Sequence, residues 1–180
     1  LAPADRDALL AAGGDAAFFP AGSREARWLR EAAVESFRAQ SGRDDAQAEL
    51  QRWIRFGAEE VRAKRDGMNP RTMELGFLAR LWMERFMDAS SVMTQDFRRR
   101  GVELAAEQAK RGAGFLVLWT KDESVPALLD AGRRWERVAL LLRERKLAMH
   151  PMSQMLEEGA WRARFRSEIG IGGAPQGVDR

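Results

Sequence analysis

The stretch Gly112-Ala113-Gly114-Phe115-Leu116-Val117-Leu118-Trp119-Thr120 constrains this chain more than any other. From Phe115 to Trp119 the run is apolar without a break, lacking the polar alternation of a half-solvated strand. A short run of this kind, bounded by glycines, reads as a strand covered on both faces. It also needs a neighbour on each edge, because buried backbone N–H and C=O groups without partners are costly. Downstream, Ser124 is placed to cap a helix, with Pro126 in its first turn, where the missing N–H costs little. Leu128, Leu129, Gly132, Trp135, Val138, Ala139 and Leu142 form the inner stripe of that helix, and Lys146 closes its basic end. Leu147-Ala148-Met149-His150, stopped by Pro151, offers a second short strand. Strand, helix and strand then have the length of a βαβ crossover. Two strands cannot occupy both edges of the first, so the sheet must be completed by another chain or by a larger fold.

The remainder reads as mostly helical. A short helix over 5–12 follows Asp5 and ends at Gly13-Gly14, and Phe18-Phe19-Pro20-Ala21-Gly22 reads as a turn whose two aromatics need burial. Ser23 caps a helix to about Gln40, with Ala26, Leu29, Ala33 and Phe37 on one stripe. Ala46, Leu50, Trp53, Ile54, Gly57 and Val61 recur at helical spacing after Asp44-Asp45. Arg65-Asp66-Gly67-Met68-Asn69-Pro70 is a loop, since Asp-Gly and Asn-Pro favour turns. From Thr72 to Phe86 the apolar residues crowd nearly all round, which predicts a helix that is buried or packs on another subunit. A further helix runs from Ser90 or Ser91 to about Arg111, and Met68, Met73, Met83 and Met87 read as core packing.

Composition removes several classes of function. Charged residues make up 32% of the chain, yet they balance to a net +3, with acids interleaved among the arginines. The Arg98-Arg99-Arg100 run reads as a solvated helix face, and no nucleic-acid partner is expected. Without cysteine there is no disulfide and no thiolate chemistry. One histidine cannot build a metal site of the usual kind. No run approaches the roughly 18 apolar residues of a membrane span. No signal peptide is visible at Leu1-Ala2-Pro3, so the reading on these residues alone is cytoplasmic, with any export signal lying outside them.

Chemistry concentrates at one place. Pro151 ends an apolar segment, and Ser153 or Gln154 begins a helix running through Met155, Leu156 and Trp161. Backbone N–H groups at such a start are unpaired and point outward, toward a ligand's carbonyl or ring nitrogen or simply toward an N-cap oxygen. Gly170-Ile171-Gly172-Gly173 follows a helix instead of a strand and does not make a phosphate loop.

Ala131-Gly132-Arg133-Arg134-Trp135-Glu136-Arg137-Val138-Ala139-Leu140-Leu141-Leu142, followed by Lys146-Leu147-Ala148-Met149-His150-Pro151-Met152, resembles the second half of the FMN-dependent nitroreductase family. The strand Phe115–Thr120 with Lys121-Asp122 fits the same pattern. Phe19 to Leu29, Trp53-Ile54-Arg55-Phe56 and Arg65-Asp66-Gly67-Met68 are similar to a branch in which two nitroreductase-like halves are fused. The resemblance implies an α+β fold, a helix-wrapped mixed sheet, mostly helical in this chain and incomplete without a partner segment. It implies one lobe over 1–180: a mainly helical part (1–111), a strand–helix–strand–helix flavin-side unit (112–170) and a loose tail (171–180). It further implies FMN as cofactor, held at Pro151, Met152, Ser153 and Gln154, with backbone N–H groups of Ser153 and Gln154 on the flavin ring.

The activity implied is hydride transfer from NAD(P)H through the flavin to nitro- or quinone-like acceptors, in a homodimer or fused-half pseudo-dimer. The family's Arg-Ser-x-Arg phosphate segment is not among these residues, and Ala174–Arg180 stops where its last strand should begin. The alternatives are a non-enzymatic flavin-sequestering protein and a helical module that docks on a partner protein.

Overall fold

The computed structural model describes residues 1–73, 75–171 and 174–175. The described chain is α+β and mostly helical, with one small antiparallel sheet. The single lobe expected over 1–180 is made of two compact units, residues 1–37 with 105–180 and residues 38–104.

In the first unit, β1 (Ala16–Pro20) pairs antiparallel with β2 (Gly114–Thr120), Ala16 opposite Leu118 and Pro20 opposite Gly114. The aromatics Phe18 and Phe19 therefore lie in a strand. The turn expected over 18–22 begins only at Pro20, whose carbonyl accepts from Ser23 N–H at 2.8 Å. Two further residues, β3 (Ala174–Pro175), pair with Trp119–Thr120 on the other edge of β2. The rest of the tail call, 172–173 and 176–180, lies outside the described residues.

Pleating sends alternate residues of the sheet to opposite faces. Phe19, Phe115 and Val117 pack against Trp28, Leu29, Ala32 and Ala33 of α2 (Arg24–Gly42), with Met155, Phe165 and Ile169 from α8 (Gln154–Glu157) and α9 (Gly159–Ile169). Leu116 faces the other way, onto Leu9 of α1 (Pro3–Gly13) and Val138 and Leu142 of α7 (Val125–Glu144). The side chain of Ser23 caps α2 through Ala26 N–H at 3.0 Å. That of Ser124 caps α7 through Ala127 N–H at 3.4 Å, as the sequence implied. Along α7 the expected inner stripe narrows to Val138 and Leu142, because Leu128 and Leu129 at its start are exposed.

The second strand of the crossover does not form. Lys146 turns left-handed at φ 56°, its N–H bonds the Arg143 carbonyl at 3.1 Å, and Leu147 N–H bonds the Leu142 carbonyl at 2.8 Å. This six-to-one and five-to-two pair is a helix C-cap that consumes the N–H groups a ladder would need. Residues 147–150 leave it as irregular chain, and β2 takes its neighbours from β1 and β3 instead. The sheet is antiparallel throughout its described residues, where the resemblance implied a mixed one.

In the second unit, α3 (Asp44–Trp53) and α4 (Ala58–Lys64) replace the single helix expected from Asp44 onward. The Asp66-Gly67 turn brings Met68 back to the chain. Arg55 N–H donates to the Met68 carbonyl and Met68 N–H to the Trp53 carbonyl, both at 2.8 Å, and this bridge ends α3. The helix expected over 72–86 is shorter, α5 (Phe77–Phe86), since Asn69 Oδ1 accepts from Arg71 and Thr72 N–H and holds that stretch as a turn. A 3-10 turn (Ala89–Met93) precedes α6 (Gln95–Arg111). Ile54, Phe56 and Val92 form the core, with Met73, Met83 and Met87 against it as expected, while Met68 is exposed.

Candidate functional site

The sheet leaves a gap, and the gap is where the predicted residues gather. The bonds Ala21 N–H to Ala113 carbonyl and Trp119 N–H to Asp15 carbonyl set the phase of the β1–β2 ladder. In an antiparallel pair, hydrogen-bonded residues alternate, so the backbone groups of 113, 115, 117 and 119 point at β1. Those of Gly114 and Leu116 point the other way, where no strand lies opposite them among the described residues.

A cavity of about 310 Å³ runs along that open edge. Its wall includes five consecutive β2 residues, Gly114–Leu118, and side chains from both faces of the sheet, Leu29 and Phe165 on one and Leu9 and Leu142 on the other. Chain 147–153 completes the lining. Of the sequence-predicted residues, Pro151, Met152 and Ser153 are brought to this cavity together with His150; Gln154 is not.

Ser153 stands at the start of α8 with φ −91° and ψ −11°, and its side chain makes no capping bond. The expected helix through Trp161 is broken instead at Glu158, between α8 and α9. The backbone N–H groups of Ser153 and Gln154 make no hydrogen bond among the described residues. Ser153 keeps the N-cap position of α8 without a side-chain bond, and the unpaired N–H groups beside it are those that any helix start leaves.

The lining is uncharged: among the described residues it holds no Lys, Arg, Asp or Glu, and its polar side chains are Gln108, His150 and Ser153. Two carboxylates elsewhere in the chain are perturbed. Hydrogen bonds from Ser90 and Ser91 hold Asp88 below the usual carboxylate range, and Ser124 does the same for Asp122. Both are exposed, and neither lines the cavity. Among the described residues no cluster of His, Asp or Glu has the grouping of a metal site, and no helix is long and apolar enough to cross a membrane.

An FMN molecule asks for a slot for its ring and cations for its phosphate. The ring requirement is met by apolar walls, an open N–H donor at Ser153, and the backbone groups of Gly114 and Leu116, which have no strand opposite them among the described residues. The phosphate requirement finds no cation in the described lining. Phe18, Leu29, Gln108 and Leu147 also line the cavity and were not assigned to a site from sequence. The Phe18-Phe19 pair signalled a need for burial with no assigned place, and Leu29 stood on the inner stripe of its helix.

No protein-family model matches the chain, and comparison with curated proteins and with solved structures returns no match.

Proposed function

We propose that the cavity beside β2 binds the ring of FMN, and that the chain is the flavin-side lobe of a nitroreductase-type NAD(P)H oxidoreductase. The observation that carries this reading is the pairing of an uncharged cavity with backbone groups at Ser153, Gly114 and Leu116 that have no partner among the described residues. Cavities of roughly 300–1,000 Å³ with apolar walls and a few convergent polar groups are typical of cofactor sites. An open strand edge alternates donor and acceptor, which matches the N–H and C=O edge of a heterocyclic ring.

When bound, the flavin supplies two-electron hydride chemistry, and the protein supplies binding and orientation. The Ser153 N–H group would hold the ring by one of its polar atoms, Phe18 and Leu29 would pack on its apolar body, and the largely apolar lining would limit water. A backbone donor at the ring also favours negative charge there.

Titration of the purified protein with FMN, followed by quenching of flavin fluorescence, tests the binding. Saturable quenching is expected, weakened at least tenfold by Ser153→Pro, which removes the donor. Absence of binding by the parent chain would sink the proposal. Anaerobic oxidation of NADH or NADPH with a quinone then separates an enzyme from a flavin-sequestering protein. A second reading, a module that docks on another protein, is favoured by the exposed apolar side chains of α5.

A further inference from the structure

The cavity beside β2 suits one end of an FMN molecule and not the other. Among the described residues its polar side chains are an amide (Gln108), an imidazole (His150) and a hydroxyl (Ser153). Every other lining residue is apolar, aromatic or glycine. Neutral groups of this kind match the N–H and C=O edge of a ring.

A phosphate dianion requires more. Taking it out of water is costly unless charged or numerous donors replace its hydration. Proteins supply these as Arg or Lys side chains, or as the N-terminus of a helix.

Among the described residues neither source lines this cavity. α8, which starts beside Ser153, is only four residues long. A helix dipole is a sum over aligned peptide units, and a single turn sums few of them. Arg30 and Arg134 follow and precede the lining residues Leu29 and Trp135 and are the least exposed cations beside it, but both are turned to backbone carbonyls. Arg30 donates to those of Ala109 and Ala21 at 3.1 and 3.2 Å, and Arg134 to those of Gly13 and Trp119, both at 3.1 Å. Lys110 and Lys146 adjoin lining residues in sequence, yet they are exposed and stand outside the lining. Cations in water are screened by salt and hold an anion weakly. At about 310 Å³ the cavity is also at the small end of the roughly 300–1,000 Å³ range of ligand sites, room for a ring more than for a whole nucleotide.

We infer that this site holds a flavin by its ring alone and leaves the ribityl end, phosphorylated or not, in solvent. Its ligand class is the neutral isoalloxazine ring, and it does not distinguish riboflavin from FMN. The inference rests on the flavin reading above and adds to it which end of the molecule is recognised.

Lumiflavin, riboflavin and FMN differ in the features at issue: the bare ring, the ring with a neutral ribityl chain, and the same chain with its phosphate. Each is titrated into the purified full chain at about pH 8, where an ordinary imidazole is uncharged, with flavin fluorescence as the readout. All should quench saturably. FMN should bind no more than about threefold tighter than riboflavin, at low salt and at about 0.3 M salt alike. One charged hydrogen bond to the phosphate is worth about tenfold or more, so the comparison resolves even a single one.

A preference for FMN over riboflavin beyond about threefold at either salt concentration would overturn the inference and leave the flavin reading standing. Saturable binding of riboflavin and FMN without lumiflavin would also overturn it, since the chain and not the ring would then be held. Absence of quenching by all of them would remove the flavin reading, and this inference with it.

Discussion

Arg134 joins three elements through one buried guanidinium. It donates to the Gly13 carbonyl and the Trp119 carbonyl, both at 3.1 Å, and its Nε lies 2.9 Å from Asp130. The two carbonyls belong to the end of α1 and the end of β2, so the side chain fixes α7 to both. Replacement by Met should cost about 2–4 kcal/mol, since buried acceptors lose a charged donor, measurable by urea unfolding. Asp130 is half exposed, and Asp130→Asn should cost under about 1 kcal/mol. Gly114 is required for a different reason. A Cβ there would sit 2.3 Å from the Phe19 carbonyl oxygen and 2.6 Å from the Phe18 ring, both across the β1–β2 ladder. Gly114→Ala should push the strands apart, lowering the melting temperature and speeding amide exchange over 16–20. At Asp88 the Ser90 hydroxyl donates at 2.6 Å and the Ser91 N–H at 3.1 Å, holding the carboxyl below its ordinary 3.8. The unfolded chain thus binds the proton more tightly. This contribution is complete above the ordinary value and is lost as pH falls through the lower folded one. Asp88→Asn should therefore flatten the acid limb of the stability curve below about pH 4, as read by denaturant midpoints at stepped pH.

Among the elements, those dictated by local chemistry were legible. Ser23 and Ser124 caps, Pro126 in the first turn of α7, the Asp66-Gly67 turn and the apolar run of β2 all stand where the residues placed them. Ser124→Ala should cost about 0.5–1 kcal/mol, the low end for a cap, because its bond to Ala127 is long. Elements decided by remote partners were not legible. β1 was hidden because Phe18-Phe19-Pro20 has turn-like composition, and only β2, almost a hundred residues away, makes it a strand. Helix periodicity ran straight through Ile54, yet the Met68 bridge stops α3 there. Residues 147–150 have strand composition, but the C-cap at Lys146 uses their first N–H. The candidate site was half legible for the same reason: Pro151–Ser153 were marked by a helix start after a proline and by the family resemblance, whereas Phe18 and Leu29 reach the cavity only through β1 and α2.

At the scale of the molecule there are separate cores. Ile54, Phe56 and Val92 close the unit 38–104, while the Trp28–Phe165 and Leu9–Val138 clusters lie on the two faces of the sheet in the other unit. Ile54 is almost wholly buried, and Ile54→Ala should cost about 2–5 kcal/mol. Hydrogen exchange should quicken across 38–104 before it does across the sheet. Sequence alone determined that β2 would be apolar on both faces and would demand partners on both edges, because side-chain composition is a local property. It also determined the lack of thiol chemistry and the near-balance of charge. Which strands met that demand, and that Gly114 and Leu116 border a cavity with no strand opposite them among the described residues, only the tertiary structure decided. Backbone hydrogen bonding between distant segments depends on register and approach, and neither is written in the composition of either segment.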